Sequence, residues 1–205
     1  MKMKKLFENW RKYLIVEGMK MPEDLPKGIF VTIEVDGDDH YVYYSNKNAV
    51  MLNTDSEVYG SIYFGPAGPK FDGICEKGMV ISSTNDTTKG WGPLLYDVAL
   101  EHSSMISNGL MSDRGQVSPD AYRIWNYYLK NRNGDVKWRQ LDNPEDERTP
   151  GLPIDNCAQD AAEEAAEDNS YEWDSEENPL SKIFYKKDST MINKLKIFDK
   201  LIDRR

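Results

Sequence analysis

Between residues 28 and 141, four short runs of β-branched and aromatic residues precede any stretch with helical periodicity, and a polar junction containing two glycines separates the two kinds of segment. That order constrains the fold more than any other feature. Residues 29–35 and 40–44 form the first two runs, and Asp36, Gly37, Asp38 and Asp39 between them carry turn chemistry, so the spacing predicts a β-hairpin. Residues 58–64 and 78–82 predict two further strands, joined through Pro66, Gly68 and Pro69. Leu94, Leu95, Val98, Ala99 and His102 then recur at helical spacing, with Pro93 suited to a first helical turn. The expected class is α/β (α+β), a central mixed, mostly antiparallel sheet flanked by helices.

Beyond this helix, residues 109–113 predict a short strand. Ser118 and Pro119 mark a helix start, as N-cap and first helical residue, for an aromatic helix over 121–129. Asn133 and Gly134 turn the chain, and 136–141 reads as a final strand. Ile192, Leu195, Phe198, Leu201 and Ile202 predict a closing amphipathic helix within 180–205. At the other end, Leu6, Phe7, Trp10, Tyr13 and Leu14 share one helical face opposite lysines and arginine, so residues 1–20 read as a basic amphipathic helix ahead of a domain at 21–141.

Charge is distributed unevenly. The chain carries a net charge of -9, yet residues 142–178 hold 14 acids against the single base Arg148, so the remainder sums to +4. Residues 1–20 have six bases and two acids, and residues 180–205 eight bases and three acids. The segment 142–179 therefore reads as an acidic strap or partly disordered stretch able to fold back on the basic ends. With no basic cluster in the central region, nucleic acid is not an expected partner. Cys75 and Cys157 are too few for a disulfide framework or a zinc site, which points to a reducing compartment. No apolar run approaches the roughly 20 residues that span a bilayer, so a soluble chain without a membrane partner is expected.

The junction itself carries the chemistry. A strand, a polar loop, two glycines and a helix bring backbone N–H groups and the positive end of a helix dipole to one point, which favours an anion. In Thr87, Thr88, Lys89, Gly90, Trp91 and Gly92, the glycines let an anion reach the backbone, Lys89 adds a mobile positive charge, and the threonines add hydroxyl donors. Neither a Walker loop nor the G-x-G-x-x-G dinucleotide fingerprint is present.

These six residues resemble the acyl-CoA loop of the GCN5-related N-acetyltransferases, [QR]-x-x-G-x-[GA]. The order of elements over residues 28–141 is similar to that family too. Position 87 is threonine where the family prefers Gln or Arg, and Pro93 removes one amide from the helix start. The resemblance implies a GNAT-like fold, acetyl-CoA or another acyl-CoA as cofactor, and transfer of the acyl group to an amine acceptor. Such transferases commonly place a tyrosine in the second helix as general acid toward the departing thiolate. Trp125 occupies that place here, which makes Tyr128, one turn further on, the candidate. Glu34, Glu57 or a water would serve as base.

Ile15, Val16 and Glu17, followed by Gly18 and preceded by the basic amphipathic helix, resemble the capsid-targeting leader of T4-type phage internal head proteins, which a prohead protease removes after [LI]-x-E. This resemblance implies a phage virion head or bacterial host cytoplasm as location, with prohead assembly proteins and the prohead protease as partners. It also opens an alternative function, a non-enzymatic internal head protein on a degenerate transferase fold; inhibition of a host DNA-binding protein by acidic mimicry is a third. His40 and His102, the only histidines, have no metal-ligand spacing, and His102 reads as a packing or capping residue. Tyr122, Trp125, Tyr127 and Tyr128 fall at helical spacing, as core residues do, and Asp113 with Arg114 reads as a solvated pair.

Overall fold

The hairpin forms as its alternation and turn residues dictate. In a computed structural model, β1 (Phe30–Asp36) and β2 (Asp39–Ser45) pair antiparallel from Phe30↔Ser45 to Asp36↔Asp39, leaving a two-residue turn at Gly37 and Asp38. The structure describes residues 19–47, 58–67, 77–85, 87–112, 117–141 and 177–205. The amphipathic N-terminal segment through Gly18, the acidic stretch 142–176, Glu57, both cysteines and the Asp113–Arg114 pair lie outside the described residues.

β3 (Val58–Pro66) and β4 (Met79–Asn85) extend the hairpin into an antiparallel meander. Helix α1 (Gly92–Ile106) then crosses back, and β5 (Leu110–Met111) lies parallel to β4. Helix α2 (Pro119–Asn131) starts where its cap predicts, Ser118 Oγ accepting from the Ala121 amide at 3.2 Å. β6 (Val136–Gln140) follows.

Here the chain departs from the sequence expectation, because residues 180–205 are not one amphipathic helix. They form β7 (Lys182–Lys186), the short helix α3 (Thr190–Ile197) and β8 (Leu201–Arg204). The eight strands make one sheet in the order β6-β7-β5-β4-β3-β2-β1-β8, in which only β4·β5 and β1·β8 are parallel. The mixed, mostly antiparallel sheet expected from the sequence is thus present, and β7 and β8 extend it past residue 141. The helical stripe breaks at Asp199, whose φ of +52° is a left-handed conformation that Asp tolerates and that ends a helix. Leu201 and Ile202 then pair with Val31 and Thr32 instead of continuing α3.

Residues 94–103 of α1 are buried on every face, as befits a helix in the middle of a domain. Two of them are acids one turn apart. Asp97 accepts from Arg132 Nη1 (3.1 and 3.2 Å) and from the Tyr128 hydroxyl (2.8 Å). Glu101 bonds Lys186 Nζ at 2.6 Å, and Asp135 bridges the two bases through Arg132 and, at 3.5 Å, Lys186. Opposed charges with their hydrogen-bonding capacity filled are what make such burial tolerable. Where β5 meets β7 the backbones approach so closely that a side chain on Gly109 (φ +133°) would stand 2.2 Å from the Phe184 carbonyl oxygen. Only glycine fits there.

Candidate functional site

The turn that follows β4 is assembled by three contacts from other elements and from itself. Trp91 N–H donates to the Thr88 carbonyl (3.1 Å), which closes the loop, while the Gly90 carbonyl accepts from Lys20 N–H (3.0 Å) and the Trp91 carbonyl from the Tyr44 hydroxyl (2.8 Å). The Trp91 ring stands edge-on to Tyr44 with centroids 5.6 Å apart, anchoring the loop to β2. Gly90 sits at φ +89°, where an L side chain is strained. Thr87 Oγ1 lies 3.5 Å from where a Cβ of Gly92 would be, so the threonine hydroxyl faces the start of α1.

Among the described residues no side-chain oxygen caps α1, whose N-cap residue is Trp91. The first-turn amides that a capping residue would occupy are therefore left for another acceptor, apart from the one Pro93 lacks. Thr88 and Lys89 are exposed, and Thr87, Gly90, Trp91 and Gly92 half-buried. All six residues singled out in the sequence thus come together at one helix N-terminus.

The sheet opens beside this turn. β5 pairs with β4 only at Met79↔Leu110 and Val80↔Met111, whereas β4 runs on to Asn85 along β3. At the same level β4 bulges: Phe64 pairs with Ile81 and Tyr63 with Ser83, so Ser82 has no β3 partner. Ser82, Ser83, Thr84 and Asn85 are exposed. Among the described residues, no strand therefore lies beside the edge of β4 that faces β5 from Ile81 to the turn, and the backbone donors and acceptors of that edge lead toward a helix N-terminus.

Tyr128 lies elsewhere. It is 1% exposed, and its hydroxyl is committed to Asp97 between α1 and α2. Burial, with the Asp97 carboxylate beside it, pushes its phenol well above the usual range. Asp97 is five residues into α1, about 7.5 Å along the helix axis from its start. Trp125 is also core, stacked on Phe184 with centroids 5.4 Å apart. Glu34 sits on the face of the sheet away from α1, accepting from the Tyr43 hydroxyl and from Arg204 Nη1 at 3.4 Å.

The fold also joins two residues that sequence spacing could not. His40 on β2 and His102 on α1, 62 positions apart, are bonded Nδ1 to Nε2 at 2.9 Å, with Phe64 stacked on His40 at 5.5 Å between centroids. His102 Nδ1 is buried without a partner. A buried lone pair without a partner costs less than a buried N–H, so His102 Nε2 is the donor and His40 Nδ1 the acceptor. The pair lies toward the C-terminal end of α1, where His40 joins Met79, Met105 and Ile106 in lining an open cleft of about 590 Å³.

Burial first, then His40 and Arg205, hold His102 at about 4 against an opposing pull from Asp203; burial also lowers His40, against Asp38 and Asp39. Between pH 6.5 and 4 the unfolded chain thus binds more protons here than the folded one. Stability contributed by the neutral pair is full above pH 6.5 and falls as pH drops through that window, by about 2 to 3 kcal/mol. Urea unfolding at pH 7.5 and 4.5 measures this, and in His102→Phe the His102 part of the loss is expected to vanish.

Among the described residues no helix is long and apolar enough to cross a membrane, and no group of three or more His, Cys, Asp or Glu is placed to hold a metal ion. No protein-family model, curated protein or solved structure matches the chain.

Proposed function

We propose that the chain is an acyl-CoA-dependent N-acyltransferase-like protein of a tailed phage, with the glycine turn holding the pyrophosphate and the open edge of β4 holding the pantetheine arm. One observation carries this reading: among the described residues, an N-terminus of α1 without a side-chain cap and an edge of β4 without a strand beside it adjoin one another. An elongated ligand with an anion at one end and amides along its arm matches that surface, whereas a simple phosphate would use only the turn. Lys89, the hydroxyls of Thr87 and Thr88, and the amides of Gly90, Gly92 and Leu94 would hold the anion. The dimensions agree as well. Ile81 to Asn85 spans about 13 Å, and an extended arm of about 13 bonds between phosphorus and sulfur spans about 16 Å.

When bound, acyl-CoA supplies an activated acyl carbon, to which an amine nitrogen bonds as the carbon–sulfur bond breaks and the nitrogen's proton passes to the departing thiolate. The chain's contribution is to fix the arm against β4 so that the reacting end sits where β4 and β5 part. Tyr128, whose hydroxyl is bound to Asp97 in the core, takes no part in the proton transfer and belongs to the buried ion pair.

A second reading, a non-enzymatic internal head protein on the same fold, is favoured by the charge layout, an acidic stretch of -13 between two basic ends. Incubation with acetyl-CoA and a panel of small amines and lysine peptides, following free thiol, separates the two. Thiol release that requires an added amine is expected of the transferase. Binding of acetyl-CoA without release under any amine would favour the head protein.

A further inference from the structure

Ser112 directly follows β5, where the pairing between β4 and β5 stops. The residue is 4% exposed and its hydroxyl has no hydrogen-bond partner. Leu110 belongs to the main core under the helices, and Met111 to the small cluster with Ala67, Leu141 and Ile183 on the opposite face. Alternation therefore turns residue 112 back to the helix side. Carrying the β4·β5 register on by one step sets Ser112 level with Ile81, beside the bulge at Ser82. Three features coincide at this level: the last β5 pairing, the β4 bulge and a buried hydroxyl with nothing to bond.

A buried hydroxyl without a partner destabilises the fold that contains it, and packing alone would be better served by alanine. No described residue bonds this hydroxyl, which leaves a group bound where the two strands part to supply its partner. We propose that Ser112 is a binding residue for the thioester end of acyl-CoA, donating its hydroxyl hydrogen to the acyl carbonyl oxygen. This rests on the acyl-CoA reading of the glycine turn. Ser112 forms no covalent bond in the transfer. Its hydrogen bond orients the carbonyl and strengthens as negative charge develops on that oxygen, so the effect on binding is moderate and the effect on turnover larger.

The variant Ser112→Ala tests this through two readouts, melting temperature without ligand and calorimetric affinity for acetyl-CoA and for free CoA. The expected result is a melting temperature equal to or above that of the unaltered protein, with acetyl-CoA bound about threefold to tenfold more weakly. Affinity for free CoA, which has no acyl carbonyl, is expected to stay within about twofold. Equal acetyl-CoA affinity in the variant and the unaltered protein would overturn the assignment. So would a clear fall in melting temperature, since it would show that the hydroxyl serves the fold. If the unaltered protein itself does not bind acetyl-CoA, the acyl-CoA reading fails first and the Ser112 assignment falls with it, an outcome distinct from the other two.

Discussion

Replacing Glu101 by alanine is expected to lower the unfolding free energy by about 3 to 5 kcal/mol, the range typical of breaking a buried ion pair. The Glu101 and Lys186 side chains are 0% and 1% exposed, and their 2.6 Å contact is only part of what the carboxylate does. The same carboxylate accepts from the backbone amides of Met191 (2.8 and 2.9 Å) and Ile192 (2.8 Å) and from Thr190 Oγ1 (3.0 Å). It thereby caps α3, whose own N-cap residue Ser189 makes no side-chain cap. Alanine would leave a buried ammonium with only Thr190 and the more distant Asp135, and would uncap the helix that leads into β8. Urea unfolding measures the loss. Glu101→Gln, which keeps an acceptor, should lose less, and Glu101→Leu with Lys186→Met should recover much of the stability because it removes both charges together. A Glu101→Ala variant within about 1 kcal/mol of the unaltered protein would show that the pair and cap contribute little.

What could be read in the sequence and what could not divide along the range of the interactions involved. The β1–β2 hairpin, the Ser118 cap and the glycine junction are encoded within a few residues, and each stands where local chemistry puts it. β7 was hidden because Lys182 and Lys186 bracket Ile183 and Phe184, a pattern that resembles a solvated basic tail. Both lysines are buried, and their ammonium groups reach Gln140 and Glu101 respectively. Those partners are 42 and 85 positions away, beyond any local pattern. β8 was hidden because Leu201 and Ile202 continue the spacing of the α3 stripe, and only the backbone at Asp199 reveals the break.

The candidate site shows the same division. Its six turn residues were legible because they are consecutive. The open edge of β4, the bulge at Ser82 and the unpartnered Ser112 depend on how far β5 follows β4, which no periodicity in a two-residue strand expresses. Tyr128 was singled out by its position in a helix. Its neighbours are decided by Asp97 on α1 and by Arg132 at the end of its own helix, which make it part of a buried ion network. The histidine pair, likewise, exists only because α1 crosses β2.

The second large effect concerns Gly90. At φ +89° it is the residue that turns the loop into α1, two positions ahead of the first helical residue. An aspartate there would set a carboxylate against the anion, a like-charge contact that costs several kcal/mol. Affinity should fall by about a hundredfold or more. Asparagine at the same position has nearly the same size and backbone strain without the charge, so Gly90→Asn isolates the electrostatic part. The direct measurement is calorimetric titration of acetyl-CoA into the unaltered protein, Gly90→Asn and Gly90→Asp, with melting curves confirming that all three are folded. Binding by the unaltered protein, reduced in Gly90→Asn and abolished in Gly90→Asp, is the predicted result. No heat with the unaltered protein at about 1 mM acetyl-CoA, or equal affinity in all three, would contradict the assignment of the glycine turn as an acyl-CoA site.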